Sequence, residues 1–192
     1  MAEKFDLVII GSGNAGYIPA IKASQLGMSV ALVERQEKLG GTCLNWGCIP
    51  TKALLHTAEK LDDIRHGEEL GINATFEFDY SKTAERRDAI VGQLQQGVNG
   101  LMKKNKVKVH SGVASFVEPK KIQVNADNGE STELEADNVL IAVGSSVSTL
   151  PGLEFDGDKI LSSDDIVQGQ DAPPESIIIL GSGAVGTEFA SM

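Results

Sequence analysis

Leu7-Val8-Ile9-Ile10-Gly11-Ser12-Gly13-Asn14-Ala15-Gly16 is the stretch that decides the fold. An apolar run from Phe5 to Ile10 leads into a glycine turn, and a helical pattern from Ala15 to Leu26 ends at Gly27. Ser29 to Val33 read as the next strand. This order makes a β-α-β unit, which needs a right-handed crossover and a parallel sheet covered on both faces. Gly11 makes the tight turn, Gly13 admits a pyrophosphate close to the main chain, and Gly16 lets helix meet strand. The phosphates of such a site rest on free N–H groups at the positive end of the helix. Glu34 ends the second strand at the distance where a carboxylate accepts hydrogen bonds from a ribose. A dinucleotide site is therefore expected here, with Arg35 as a plain surface charge.

Outward from that unit, a Gly- and Cys-rich stretch, Leu39 to Cys48, precedes Pro50 and a helix predicted to run to about His66. A second long helix is predicted from Ser81 to Asn105, although Gly92, Gly97 and Gly100 weaken it. Val107 to Leu134 read as short alternating strands with a turn at Asp127-Asn128-Gly129, an antiparallel meander. Asn138 to Val143 read as a buried parallel strand. Leu150-Pro151-Gly152 then punctuates the chain, and Pro173-Pro174 precedes a further expected strand, Ser176 to Leu180. That strand leads into Gly181-Ser182-Gly183-Ala184-Val185-Gly186, a second copy of the opening motif. The fold class expected is α/β: a Rossmann-like domain over residues 1–150 with a parallel sheet and an antiparallel meander, then the start of a second Rossmann-like domain over 151–192. Because Met192 falls inside the helix that the second turn opens, the chain reads as an N-terminal piece of a longer protein.

Composition narrows the partners. With 192 residues, 41% hydrophobic and 23% charged, the chain can bury a sizeable core. Seventeen basic residues against 27 acidic ones give a net charge of -10, the wrong sign for a nucleic-acid or anionic-membrane binder. No apolar run approaches the roughly 20 residues of a membrane span and no apolar leader precedes the first strand, so a cytoplasmic protein is expected.

Cys43 and Cys48 are the only cysteines. Their loop is too small for a disulfide to add much stability, so a redox role outranks a structural staple. Zinc would need two more ligands, and His56, His66 and His110 have no metal-like spacing to each other or to the pair; no metal site is expected. Trp46, between the cysteines, reads as packing.

The block Gly40-Gly41-Thr42-Cys43-Leu44-Asn45-Trp46-Gly47-Cys48-Ile49-Pro50-Thr51-Lys52-Ala53-Leu54-Leu55 resembles the active-site signature of the flavin-dependent pyridine nucleotide-disulfide oxidoreductases. Its ending, Cys48 to Leu55, is most similar to the dihydrolipoamide-oxidising branch of that family, and the resemblance extends over essentially all 192 residues.

The resemblance implies FAD and NAD as cofactors, with electrons passing from dihydrolipoamide through a Cys43–Cys48 disulfide to FAD and then to NAD. Reduction of another disulfide or of a metal ion is the alternative within the family, and a flavin-binding module without turnover is the alternative for the chain by itself. Gly11, Gly13, Gly16 and Glu34 would hold the ADP part of FAD, with Gly41 and Thr42 also among the FAD-binding residues. Cys43 would exchange with substrate, and Cys48 would lie against the flavin as the charge-transfer thiolate. Lys52, one helical turn beyond Cys48, would approach the flavin near N5, and Glu188 matches an acid that pairs with this lysine. Ala142-Val143-Gly144 matches a stretch near FAD that usually has Thr where Val143 stands, leaving backbone contacts only. Ala114 stands where a backbone meets the adenine, and Gly181, Gly183 and Gly186 would form the NAD phosphate turn. The resemblance also implies a lipoyl domain of a 2-oxo acid dehydrogenase or related complex as partner. It further implies a homodimer whose partner subunit supplies a His–Glu pair, which none of the three histidines here matches. Pro19 departs from the pattern, since inside a helix it removes a hydrogen bond to Ala15 at a cost of about 3 kcal/mol.

Overall fold

A computed structural model describes residues 2–172 and 174–192, so Pro173 of the expected Pro173-Pro174 break lies outside the described residues. The chain divides into two compact units: one runs to Asn45 and resumes over Gln93–Ser146, and the other comprises Trp46–Gly92 and Val147–Met192.

The first unit is built on β1 (Glu3–Ile10), α1 (Asn14–Gln25) and β2 (Val30–Glu34). Strand β1 pairs in parallel with β2, Leu7 opposite Val30 and Ile10 opposite Val33. All five residues of β2 are buried, as a strand covered on both faces must be. A short helix, α2 (Gly41–Asn45), follows within the stretch that sequence alone leaves as a loop.

The expected meander needs correcting at its start. Lys108–Ser111, β3, runs parallel to β2, with Ala31 opposite Lys108 and Glu34 opposite Ser111. It sits at the edge of the sheet, and of its four residues only His110 is half-buried while Lys108, Val109 and Ser111 are exposed, so nothing in so short an outer strand marks the direction of its neighbour. The antiparallel part consists of β4 (Val113–Glu118), β5 (Lys121–Asn125) and β6 (Ser131–Ile141). Gly129, at φ +85°, makes the turn between the last two. The predicted strand Asn138 to Val143 is the second half of β6, which pairs with β5 through its first half and with β1 along most of its length. It stops at Ile141 and is not buried: Ile141 is 62% and Val143 64% exposed.

The sheet order is β3-β2-β1-β6-β5-β4. Val8, Ala31 and Val33 from its parallel half form one buried cluster with Ile122, Val124, Leu134 and Ala136 from the meander. The long β6 therefore carries β5 back over one face of β1 and β2. The opposite face takes α1: Ile9 and Leu32 are fully buried, as is Ala20. Helix α1 continues through Pro19, with Gly16, Ala20 and Ala23 as its buried residues.

In the second unit, α3 (Cys48–Arg65) buries Pro50, Thr51, Ala53 and Leu54. Helix α4 (Tyr80–Lys104) belongs to this unit as far as Gly92 and to the first unit from Gln93 on, and its Arg86 Nη1 donates to the Ala53 carbonyl at 3.1 Å. Its neighbour Arg87 is 1% exposed and donates to the Gly169 carbonyl at 2.7 Å, just past α5 (Ser163–Gln168). Ser162 and Asp165 close a capping box at the start of α5. The expected strand Ser176 to Leu180 is not formed: no described strand pairs with it, and Ile178 is 88% exposed. An apolar run becomes a strand only when a neighbour takes its backbone groups. The glycine turn and the helix after it, α6 (Ala184–Ser191), do form. No helix among the described residues is long and apolar enough to cross a membrane.

Candidate functional site

Backbone contacts alone explain the first glycine turn. Gly11 sits at φ +101°, and a Cβ there would overlap the Ala142 carbonyl; a Cβ on Gly16 would overlap the Gly11 carbonyl. Gly13 is the N-cap of α1, accepting from Gly16 N–H at 2.7 Å and Tyr17 N–H at 2.9 Å. No side chain caps this helix and no acid lies in its first turn, so its positive end is presented by main-chain N–H groups.

Glu34 is buried at 8% exposure. Its Oε2 accepts from Ser12 N–H at 2.7 Å and Ser12 Oγ at 2.6 Å, and its Oε1 accepts from Gln36 N–H at 2.9 Å. Oε1 thus carries one bond and keeps acceptor capacity. Ser12, which the sequence pattern treats as a variable position, also accepts from Gly40 N–H at both its carbonyl, 3.1 Å, and its hydroxyl, 3.2 Å. Gly40 and Gly41 have φ of +112° and +64°, and a Cβ on Gly41 would strike Gly13 Cα. The glycine turn and the start of α2 are in backbone contact.

Within α2, Thr42 is exposed and Cys43 half-buried. Asn45 closes the turn: Nδ2 donates to the Leu39 carbonyl at 3.2 Å and the Gly41 carbonyl at 3.0 Å, while Oδ1 accepts from Gln95 Nε2 at 2.6 Å. Asn45 lies inside the Gly40–Leu55 block but has no role assigned to it there, and nothing in the sequence pattern marks Gln95. Ala114 pairs with Val124 and packs against the core cluster, and Gly144 sits at φ +70° beyond Ala142 and Val143.

In the second unit, Cys48 is the exposed first residue of α3, whose N-cap is Gly47. Trp46 is half-buried. Lys52 Nζ is ion-paired with Glu188 of α6, the lysine side chain 56% and the glutamate 32% exposed. The second glycine turn repeats the backbone of the first. Gly181 is at φ +119°, a Cβ on Gly186 would overlap the Gly181 carbonyl, and Gly183 caps α6 at φ -73°, ψ 179°, against -65° and -174° at Gly13. Among the described residues no group of three or more His, Cys, Asp or Glu side chains could hold a metal ion.

The glycine cradle at the start of α1, the buried Glu34 carboxylate behind it and the cysteine-bearing turn against it form one continuous feature of the chain. Residues 5–192 match the family model of the pyridine nucleotide-disulphide oxidoreductases, and the chain belongs to that family. It is 44% identical over 201 residues to a dihydrolipoyl dehydrogenase of Bacillus subtilis, covering 100% of this chain and 42% of that protein. Against the mitochondrial dihydrolipoyl dehydrogenase of Pisum sativum the identity is 39% over 193 residues, covering 100% of this chain and 38% of the other. The chain thus spans about two fifths of the length of these relatives. The crystal structure of LpdA from Mycobacterium tuberculosis shares the fold, with a TM-score of 0.78 at 22% identity over 88% of this chain and 38% of that one.

Proposed function

We propose that this chain is the FAD-binding part, with the opening of the NAD-binding part, of an enzyme that oxidises dihydrolipoamide to lipoamide. The observation that carries the reading is the contact between the two turns: Gly41, two residues before Cys43, lies against Gly13 of the dinucleotide cradle. That arrangement suits a protein whose thiols work beside a bound dinucleotide. Gly11, Gly13, Gly16, Gly41 and Thr42 would line the FAD phosphates and Glu34 Oε1 would accept from the ribose. Ala114 and Ala142 to Gly144 would add backbone contacts. Gly181, Gly183 and Gly186 would take the phosphates of NAD. The boundary between the parts is put near residue 150, where Leu153 N–H donates to the Leu150 carbonyl at 2.9 Å in a tight turn.

In the proposed exchange, one thiolate of dihydrolipoamide attacks the Cys43 sulfur of a Cys43–Cys48 disulfide, and Cys48 leaves as thiolate. The second substrate thiolate displaces Cys43 and closes lipoamide, so two electrons and two protons have left the substrate. Bound beside the cysteines by the Gly11–Gly16 turn and Glu34, FAD would supply the acceptor for their electron pair and the hydride donor for NAD. Lys52 would hold its charge near the flavin, oriented by Glu188. A lipoyl domain as substrate carrier, a homodimeric assembly and a cytoplasmic location belong to the same reading.

Gly13 allows a clean test. A Cβ there meets only Gly41 Cα, at 3.9 Å, and its φ of -65° suits any residue, so Gly13→Ala fits the protein itself. FAD binding, measured by flavin fluorescence, should weaken about tenfold or more in Gly13→Ala with thermal stability retained. In the oxidised wild-type chain, dihydrolipoamide should reduce the cysteine pair, and Cys43→Ser should abolish that exchange. Unchanged FAD affinity in Gly13→Ala, or no exchange in the wild type, overturns the proposal.

A further inference from the structure

Helix α2 is only five residues long, and it carries Cys43. A helix of that length does not hold itself together in water, because nucleation costs more than its few hydrogen bonds return. The direction in which Cys43 points must be fixed by groups outside its own backbone ladder. Two such restraints are present. At the front, Ser12 holds Gly40 N–H and is itself held by Glu34. At the back, Asn45 is buried at 8% exposure and its amide uses both hydrogens, one on the carbonyl before the turn, Leu39, and one on the carbonyl opening it, Gly41. Its oxygen is taken by Gln95 of α4 at 2.6 Å. Gln95 therefore fixes the rotation of the Asn45 amide, and the Asn45 amide ties the last residue of the turn that contains Cys43 back to its opening at Leu39 and Gly41.

We propose that Asn45 and Gln95 are positioning residues for Cys43: the Gln95–Asn45 latch sets the geometry of the α2 turn and through it the ease with which Cys43 forms and exchanges a disulfide. The inference rests on the reading of Cys43 and Cys48 as a redox pair. A disulfide tolerates a narrow range of Cβ separation and dihedral angle, so a thiol on a loosened turn spends less time where the bond can form. Loss of the latch lowers the equilibrium constant for disulfide formation and exposes Cys43 to external reagents. Cys48, on α3, is untouched by the change.

The test uses the 192-residue chain and the variants Gln95→Met, which keeps volume without a donor, Gln95→Lys, which restores a donor, and Asn45→Asp, which loses both donors to the turn. Disulfide content is measured in dithiothreitol buffers of graded redox ratio, and the alkylation rates of Cys43 and Cys48 are followed separately by mass spectrometry. Gln95→Met should lower the disulfide-formation constant about threefold to tenfold, the value of one amide hydrogen bond. In that variant Cys43 alkylation should rise by a similar factor while Cys48 alkylation stays unchanged. Asn45→Asp should do at least as much, and Gln95→Lys should return both readouts toward wild type. A fall in melting temperature with both readouts unmoved would make the latch merely structural and overturn the proposal. If the wild-type chain forms no disulfide in any buffer, the redox-pair reading fails, and equal Cys43 alkylation rates across the variants would separately remove the positioning role.

Discussion

Glu34 and Ser12, twenty-two residues apart, are joined twice: the carboxylate oxygen Oε2 accepts both the backbone N–H and the hydroxyl of Ser12. The end of one strand thereby grips the turn that follows its neighbour. Ser12→Ala keeps the N–H bond and leaves a buried carboxylate short of one donor, and it removes one of the two acceptors for Gly40 N–H. The expected loss is about 1–3 kcal/mol in urea unfolding, accompanied by weaker FAD binding. A variant as stable as wild type would mean that water replaces the hydroxyl without penalty.

Gly16 and Gly92 both lie within helices and face opposite fates on substitution. A Cβ at Gly16 would overlap the Gly11 carbonyl, whereas a Cβ at Gly92 has nothing within 4 Å. Gly16→Ala should disrupt the β1–α1 junction and cost several kcal/mol or prevent folding. Gly92→Ala should gain up to about 1 kcal/mol from helix propensity alone. Denaturation midpoints of the two variants provide the check, and a stable Gly16→Ala protein would contradict the close approach.

Those glycines also explain what the sequence made legible. A turn that leaves no room for Cβ must be written as glycine, so the cradle, α1, β2 and the second turn could be read directly from residue types. Strand β3 reads as part of the meander because an exposed four-residue edge strand, Lys108 to Ser111, carries no mark of the direction in which its neighbour runs. The Ser176 to Leu180 run has the residues of a buried strand, but residue type cannot supply the neighbour that a ladder needs. The Asn45–Gln95 bond joins residues fifty positions apart, a separation that corresponds to no helical or strand period. Polar contacts of that range are set by the packing of α4, which no local pattern announces.

Pro19 is the residue in α1 that works against its own helix. Its ring leaves the Ala15 carbonyl without the N–H four residues on, yet the helix runs unbroken from Asn14 to Gln25. Pro19→Ala restores that bond and removes the steric clash, while giving back some freedom to the unfolded chain. A net gain of about 1–3 kcal/mol is expected from urea titration. No gain, or a loss, would show that α1 has accommodated the ring at little cost.

His110 makes stability depend on pH. Burial, first of all, and the Lys108 ammonium lower its pKa from the usual 6.5, against a smaller opposing pull from Glu3. The unfolded chain therefore binds a proton at a higher pH than the folded one. Stability from this group is fully present above about pH 6.5 and is lost as the pH falls toward the lower folded value. Unfolding free energy should drop between pH 7.5 and 5.5 in the wild type and drop less in His110→Phe. Equal pH slopes in the two proteins would remove His110 from the account.

Lys52 and Glu188 offer a way to separate a working ion pair from an ornamental one. Both side chains reach solvent, the lysine at 56% and the glutamate at 32% exposure, so the pair itself should stabilise the fold by no more than about 1 kcal/mol. A lysine kept only for stability would leave little trace when removed. A lysine placed to act on a neighbouring flavin would leave a large one, because a positive charge beside the ring stabilises its reduced, more negative form. Lys52→Met in the FAD-loaded protein should accordingly lower the flavin potential and alter its visible spectrum while the melting temperature changes little. Glu188→Gln, which keeps the lysine but frees it from its carboxylate, should produce a smaller change. If Lys52→Met destabilises the protein and leaves the potential and spectrum of the bound flavin as they were, the pair is a structural contact and Lys52 has no part in the redox chemistry.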